Sequence, residues 1–171
     1  MTFISSKLQA IVAAAAMLAG ANAFAGTFMP EIGIGYGQGK HIESTENTWL
    51  LDAAFGYRFD NGLGVRALYL NDADPFRGLF AQDRSFDDFL GVQATAYVPI
   101  ASRLSLMGGL GVGRTSLNIG GQSGGAERVT DGVLSTGLQL QMGRHYSMEL
   151  HYDYLTKTGT SNLSLMAQIP F

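Results

Sequence analysis

The chain has 171 residues, of which 15% are charged and 46% hydrophobic, with 23 glycines, no cysteine and a formal net charge of −3. This length suits one domain with a real core, and the lack of cysteine excludes disulfides, thiolate metal sites and a cysteine nucleophile. Mild acidity argues against a nucleic-acid partner, which would meet a basic face, and low charge with many aromatics excludes disorder.

Residues 1–25 read as a secretory signal peptide. Lys7 supplies the positive start, Leu8 to Ala19 the apolar stretch, and Ala23-Phe24-Ala25 the small-x-small cleavage site. Removing Lys7 with the leader leaves ten basic and fourteen acidic residues, so the mature chain, 26–171, carries −4. No later apolar run reaches the ~18 residues of a membrane helix. Period two recurs instead, the mark of strands whose alternate side chains face opposite ways.

Eight such segments follow. Phe28, Pro30, Ile32, Ile34 and Tyr36 oppose Glu31, Gly33, Gly35 and Gly37. Trp49, Leu51, Ala53, Phe55, Tyr57 and Phe59 oppose Asp52, Ala54, Gly56 and Arg58, with Leu50 as an exception. After the Asp60-Asn61-Gly62 turn signal, Leu63, Val65, Ala67 and Tyr69 alternate with Gly64, Arg66, Leu68 and Leu70, the weakest contrast of the eight. A fourth segment begins at Leu90 and ends in a turn at 99–103. The fifth runs from Leu104 through Leu110 and Val112, and the sixth carries Leu134, Leu138 and Leu140. A turn at 143–145 leads into Tyr146, Met148, Leu150, Tyr152 and Tyr154, opposite Ser147, Glu149, His151 and Asp153. The last is Leu163, Leu165, Ala167, Ile169 and Phe171, alternating with Asn162, Ser164, Met166 and Gln168.

Short links near 60–62, 99–103 and 143–145 alternate with longer ones near 38–47, 71–85, 116–129 and 156–161. Together with the even strand number, this predicts an all-β, eight-stranded antiparallel up-and-down transmembrane barrel. The polar face is rich in Gly, Ser, Gln and Thr, which suits a crowded lumen. Aromatics gather at the segment ends: Tyr36, Trp49, Tyr69, Phe86, Tyr152 and Tyr154 toward the long loops, and Phe28, Tyr57, Phe59, Tyr146 and Phe171 toward the short turns. Belts at two lipid–water interfaces account for this.

On the terminal pattern Leu163-Ser-Leu-Met-Ala-Gln-Ile-Pro-Phe171 and on Tyr152-Asp153-Tyr154, residues 26–171 resemble the small outer-membrane barrels of the OmpA-transmembrane-domain, OmpX and opacity-protein superfamily. The resemblance implies location in the cell outer membrane, contact with its lipid and lipopolysaccharide, and a structural or surface-interaction role through the loops toward a host or cell-surface ligand. It also implies that Leu165, Ala167, Ile169 and Phe171 form the signal read by the barrel-assembly machinery. Pro170 departs from the family pattern.

The inward charges Glu31, Asp52, Arg58, Arg66, Glu149, His151 and Asp153 are expected to form a charge network in the lumen, since buried charges need partners. The pairs expected first are Asp52 with Arg58, and Arg66 across the turn. A narrow cation-preferring channel is the alternative use of these charges. A second alternative is a lipid A acyl hydrolase: His145-Tyr146-Ser147 with Glu149 is similar to the His-x-Ser pair of the 3-O-deacylases, and His151 with Asp153 is the other base candidate, with Ser161 out in the loop. Against it, the His-x-Ser pair sits at a short turn on the periplasmic end and no Asn follows. His41, Glu43 and Glu46 are weak metal donors, Gly33, Gly35 and Gly37 precede no helix, and neither metal nor cofactor is implied.

Overall fold

A computed structural model describes residues 25–39, 47–73, 85–119 and 125–171. Eight strands form one closed antiparallel barrel in chain order: β1 (Gly26–Gly39), β2 (Asn47–Phe59), β3 (Leu63–Asp72), β4 (Ser85–Ala101), β5 (Leu104–Ile119), β6 (Gly125–Gln141), β7 (Ser147–Leu155) and β8 (Thr160–Gln168). Closure runs between β1 and β8, from Glu31↔Gln168 to Gly39↔Thr160, which removes the sheet edges from the barrel wall. The seam continues below β8. Ile169 donates to the Pro30 carbonyl, and Phe28 and Phe171 exchange hydrogen bonds. Pro170, which has no N–H, falls between two residues that bond to β1, so its ring interrupts nothing there.

Tight turns join the strands at the lower end. Gly62 takes a positive φ of 83°, bonds back to the Phe59 carbonyl and accepts from the Tyr97 amide. At the upper end the β7–β8 turn is also tight, with Gly159 at φ 67° and its amide on the Leu155 carbonyl.

The outer surface is apolar. Ile32, Ile34, Leu90, Leu110 and Leu134 are all more than half exposed, a face that only hydrocarbon makes favourable over such an area. Aromatic rings bound it: Phe28, Tyr57 and Phe171 meet below, with the Phe28–Tyr57 centroids 4.8 Å apart, and Tyr36 packs edge-on to Trp49 above at 5.6 Å.

Inside, β1 and β5 lie opposite each other and carry small residues inward, Gly33, Gly35 and Gly37 on one and Gly109, Gly111 and Gly113 on the other. Larger side chains from neighbouring strands lean across these strips. Phe89 crosses Gly113: a Cβ added there would stand 2.5 Å from the ring and from the Leu90 carbonyl oxygen. Gly113→Ala should therefore destabilise the barrel by about 1–3 kcal/mol through overpacking, whereas Gly108→Ala, with open space at its Cβ, should be silent. Urea unfolding of the two variants in detergent checks this.

Several sequence-based boundaries move. β4 begins at Ser85 rather than Leu90, and its register slips between Phe86 and Asp88. The extra residue reverses the alternation, so Phe86, expected in the upper aromatic belt, is buried in the lumen with Phe89. The predicted turn at 99–103 shrinks to Ser102 and Arg103, with Pro99 inside β4 at a second slip, where its missing N–H is tolerated. The loop expected at 116–129 is largely ladder, from Ser116↔Arg128 to Ile119↔Gly125. Ser161, expected in a loop, lies in β8 and donates to the Gln38 carbonyl.

Candidate functional site in the lumen

The lumen is stratified. On β2 the inward sequence from below is Arg58, Gly56, Ala54, Asp52, Leu50; on β3 it is Arg66, Leu68, Leu70; on β7 it is Ser147, Glu149, His151, Asp153, Leu155. On β2, β3 and β7 the apolar residue lies on the loop side of the polar one, and Phe89 on β4 and Val133 on β6 follow the same order. Leu50, Leu68, Leu70, Phe86, Phe89, Val133 and Leu155 meet as one buried cluster. Leu50, Leu68 and Leu70, which blurred the sequence alternation, are this plug.

Beneath it lies the charge network, centred on Arg66. Its guanidinium donates to Glu31 Oε2 at 2.6 Å and reaches Glu149 Oε1 at 3.4 Å. Glu149 Oε1 also accepts from His151 Nδ1 at 2.7 Å, and His151 Nε2 stands 2.8 Å from Asp153 Oδ1. Arg66 Nη1 also lies 3.1 Å from His151 Nδ1 and 3.3 Å from Nε2, so the imidazole is packed between the guanidinium and the two carboxylates. Ser135 Oγ adds a bond to Asp153 Oδ1 at 2.5 Å. All these groups are buried.

The structure pairs the remaining charges differently from the expectation. Asp52 meets neither arginine; its Oδ2 accepts from Asn162 Nδ2 at 2.9 Å. Arg58 lies lower, donating to Gln139 Oε1 at 2.8 Å and standing 5.0 Å over the Tyr97 ring. The reason is lateral offset: Arg66 projects toward the far wall, where β1 and β7 supply Glu31 and Glu149 at its level, rather than back along its own hairpin.

Sequence reasoning left three polar residues without a role. Gln168 links the network to the lower mouth, donating to Glu31 Oε2 at 3.1 Å and Glu149 Oε2 at 3.0 Å and accepting from Ser147 Oγ at 2.8 Å. Gln139 bonds to both Gln168 and Ser147. Asp131, near the loop end of β6, holds the β7–β8 turn: it accepts from the Lys157 amide at 2.7 Å, the Thr158 amide at 3.1 Å and Thr158 Oγ1 at 2.7 Å. The inward parity of each was available from the alternation alone.

For acyl transfer the geometry is unfavourable. Ser147 is buried and its hydroxyl is engaged by Gln168 and Gln139, while His145 is exposed in the preceding turn. His151 has both nitrogens on carboxylates and none facing a hydroxyl nucleophile. His41, Glu43 and Glu46 lie outside the described residues, as does the leader apart from Ala25. The terminal residues Leu165, Ala167, Ile169 and Phe171 all face outward.

No family model matches the chain, and no curated protein does. Solved structures do. Ail, the attachment invasion locus protein of Yersinia pestis, aligns with a TM-score of 0.63 at 19% identity, covering 85% of this chain and 99% of that one. Neisserial surface protein A gives 0.66 at 14% identity over 84% and 97%. The N-terminal β-barrel domain of Pseudomonas aeruginosa OprF gives 0.63 at 13% over 85% and 97%. The fold of this chain is that of the small eight-stranded outer-membrane β-barrels.

Proposed function

We propose that the chain is an outer-membrane protein, exported by the leader 1–25, whose working part is its outer rim rather than its lumen. The observation that carries this is the uneven reach of the strands. Pairing of β5 with β6 continues to Ile119↔Gly125, whereas β6 and β7 pair only as far as Val133↔Leu155. Among the described residues, β6 above Gly132 therefore offers one side of its backbone to no neighbouring strand. An open edge of that kind pairs readily with a segment of another protein. A host or neighbouring-cell surface protein is the partner class this supports, with lipopolysaccharide around the barrel wall. Outward Leu165, Ala167, Ile169 and Phe171 suit the assembly-machinery signal that the resemblance implies.

The channel alternative is disfavoured by the apolar plug across the upper lumen, the opposite of a water-lined path. The hydrolase alternative is disfavoured by the engaged Ser147 and His151. The role of the rim is tested by replacing Leu117–Glu127 with Asn-Gly, which joins the cross-strand pair Ser116 and Arg128 through a tight turn. The shortened barrel should fold as well as the parent, yet lose whatever cell attachment the parent confers over an empty vector. Attachment undiminished by the replacement would reject the rim as the working part.

A further inference from the structure

One corner of the polar layer is unbalanced. Asp52, Asp153 and Asn162, on β2, β7 and β8, are 0%, 0% and 1% exposed. Asp153 and Asn162 are cross-strand partners, and Asn162 reaches Asp52 over β1 because the intervening residue is Gly35. A Cβ there would stand 3.0 Å from Asp52 Oδ2 and press on Asn162 Oδ1. The bond from Nδ2 to Asp52 fixes the orientation of the amide. Asp52 Oδ1, Asp153 Oδ2 and Asn162 Oδ1 have no hydrogen-bond partner within bonding distance, and the hydroxyl of Ser164, the cross-strand neighbour of His151, is the one other donor beside the Asp52 carboxylate. The first three oxygens can only accept, and a buried acceptor with no donor is costly.

Charge is out of balance in the same place. Among the described residues of this layer, Glu31, Asp52, Glu149 and Asp153 face Arg66 and His151, which leaves two negative charges in excess even when the imidazole is counted as a cation. Arg66 answers Glu31 and Glu149, and His151 lies between Glu149 and Asp153. Asp52 has no cationic partner. Arg58 is directed elsewhere, toward Gln139 and Tyr97.

The geometry points to an internal site for a hard divalent cation, held by Asp52, Asp153 and Asn162 with Ser164 beside them. Oxygen donors alone, two of them carboxylates and one an amide carbonyl, suit calcium, which accepts irregular all-protein coordination; magnesium keeps several waters and a strict octahedron. A charge of +2 neutralises the layer. The ion ties β2 to β7 and β8 across β1, so it braces the seam where the barrel closes, and it enters while the barrel folds, before the apolar plug above and the Gln168–Gln139 bridge below enclose it.

The test is to unfold the protein in urea with EDTA and refold it into detergent with either calcium chloride or EDTA. After desalting into chelator, the retained metal is counted by mass spectrometry. Wild type should retain about one calcium per barrel and unfold at higher urea after calcium refolding. Asp52→Asn and Asp153→Asn should retain none, and Asp52→Asn, which removes part of the excess charge, should show one urea midpoint in both conditions. Asp88→Asn, at the outer rim, should retain the metal. Wild type that emerges metal-free with the same midpoint either way overturns the site and leaves a proton on a carboxyl as the occupant. Calcium lost in Asp88→Asn but kept in Asp52→Asn overturns it in favour of rim binding.

Discussion

Arg66→Met should cost about 3–5 kcal/mol of barrel stability, the largest single loss expected from any lumen substitution. The guanidinium is the one permanent cation in the middle of the lumen among the described residues, and it answers Glu31 at 2.6 Å and Glu149 at 3.4 Å. Methionine keeps the apolar stem but leaves the Glu31 carboxylate buried without a counter-charge; Glu149 keeps His151 and Gln168. The loss should therefore fall mainly on Glu31. Adding Glu31→Gln to Arg66→Met should recover a large part of it, because it removes the carboxylate left without a counter-charge and restores the net charge of the layer. Urea unfolding in liposomes measures both variants. A loss below about 1 kcal/mol, the worth of an exposed pair, would mean that water reaches the network.

Leu110→Arg is the second large effect, and it probes the other face. Leu110 is 66% exposed and sits between Ala94 and Leu134 in the ladder, well away from either aromatic belt. An arginine at the bilayer midplane costs about 2–4 kcal/mol, falling to about 0–1 near the interface. Met142→Arg, equally outward but beside the lower turn, should be nearly harmless by comparison. Folding yield and urea midpoint in liposomes should separate the two. Equal behaviour would contradict a depth-dependent lipid face. Gln139→Arg is no silent partner in such a series: Gln139 faces inward and accepts from Arg58, so a second cation there would meet the first.

Strand number, order and the apolar outer face were legible because period two survives in most segments, and a side chain facing lipid has few ways to be anything but apolar. Leu165, Ile169 and Leu134 needed no tertiary information. The inward face was harder to read, since a lumen tolerates both polar and apolar side chains as long as they fill it. Leu50, Leu68 and Leu70 read as blemishes in the alternation and are in fact the upper plug. Phe86 reads as outward by parity and lies inward, because a bulge inserts one residue and leaves no local signature in the composition of Ser85 to Leu90. The members of the charge network were readable one by one from parity. Their pairing was not, because it depends on which strands face each other across the lumen, as Arg66 does with Glu31 and Glu149 and Asp52 with Asn162.

Outward side chains meet hydrocarbon while inward ones close the lumen. The single tryptophan of the chain, Trp49, reports on this directly: it is 61% exposed on the outer wall, against Tyr36. In proteoliposomes its fluorescence should be strongly quenched by lipids brominated near the headgroup, less by lipids brominated near the chain ends, and only weakly by aqueous iodide. Full quenching by iodide with none from brominated lipid would mean that the outer wall meets water instead of hydrocarbon.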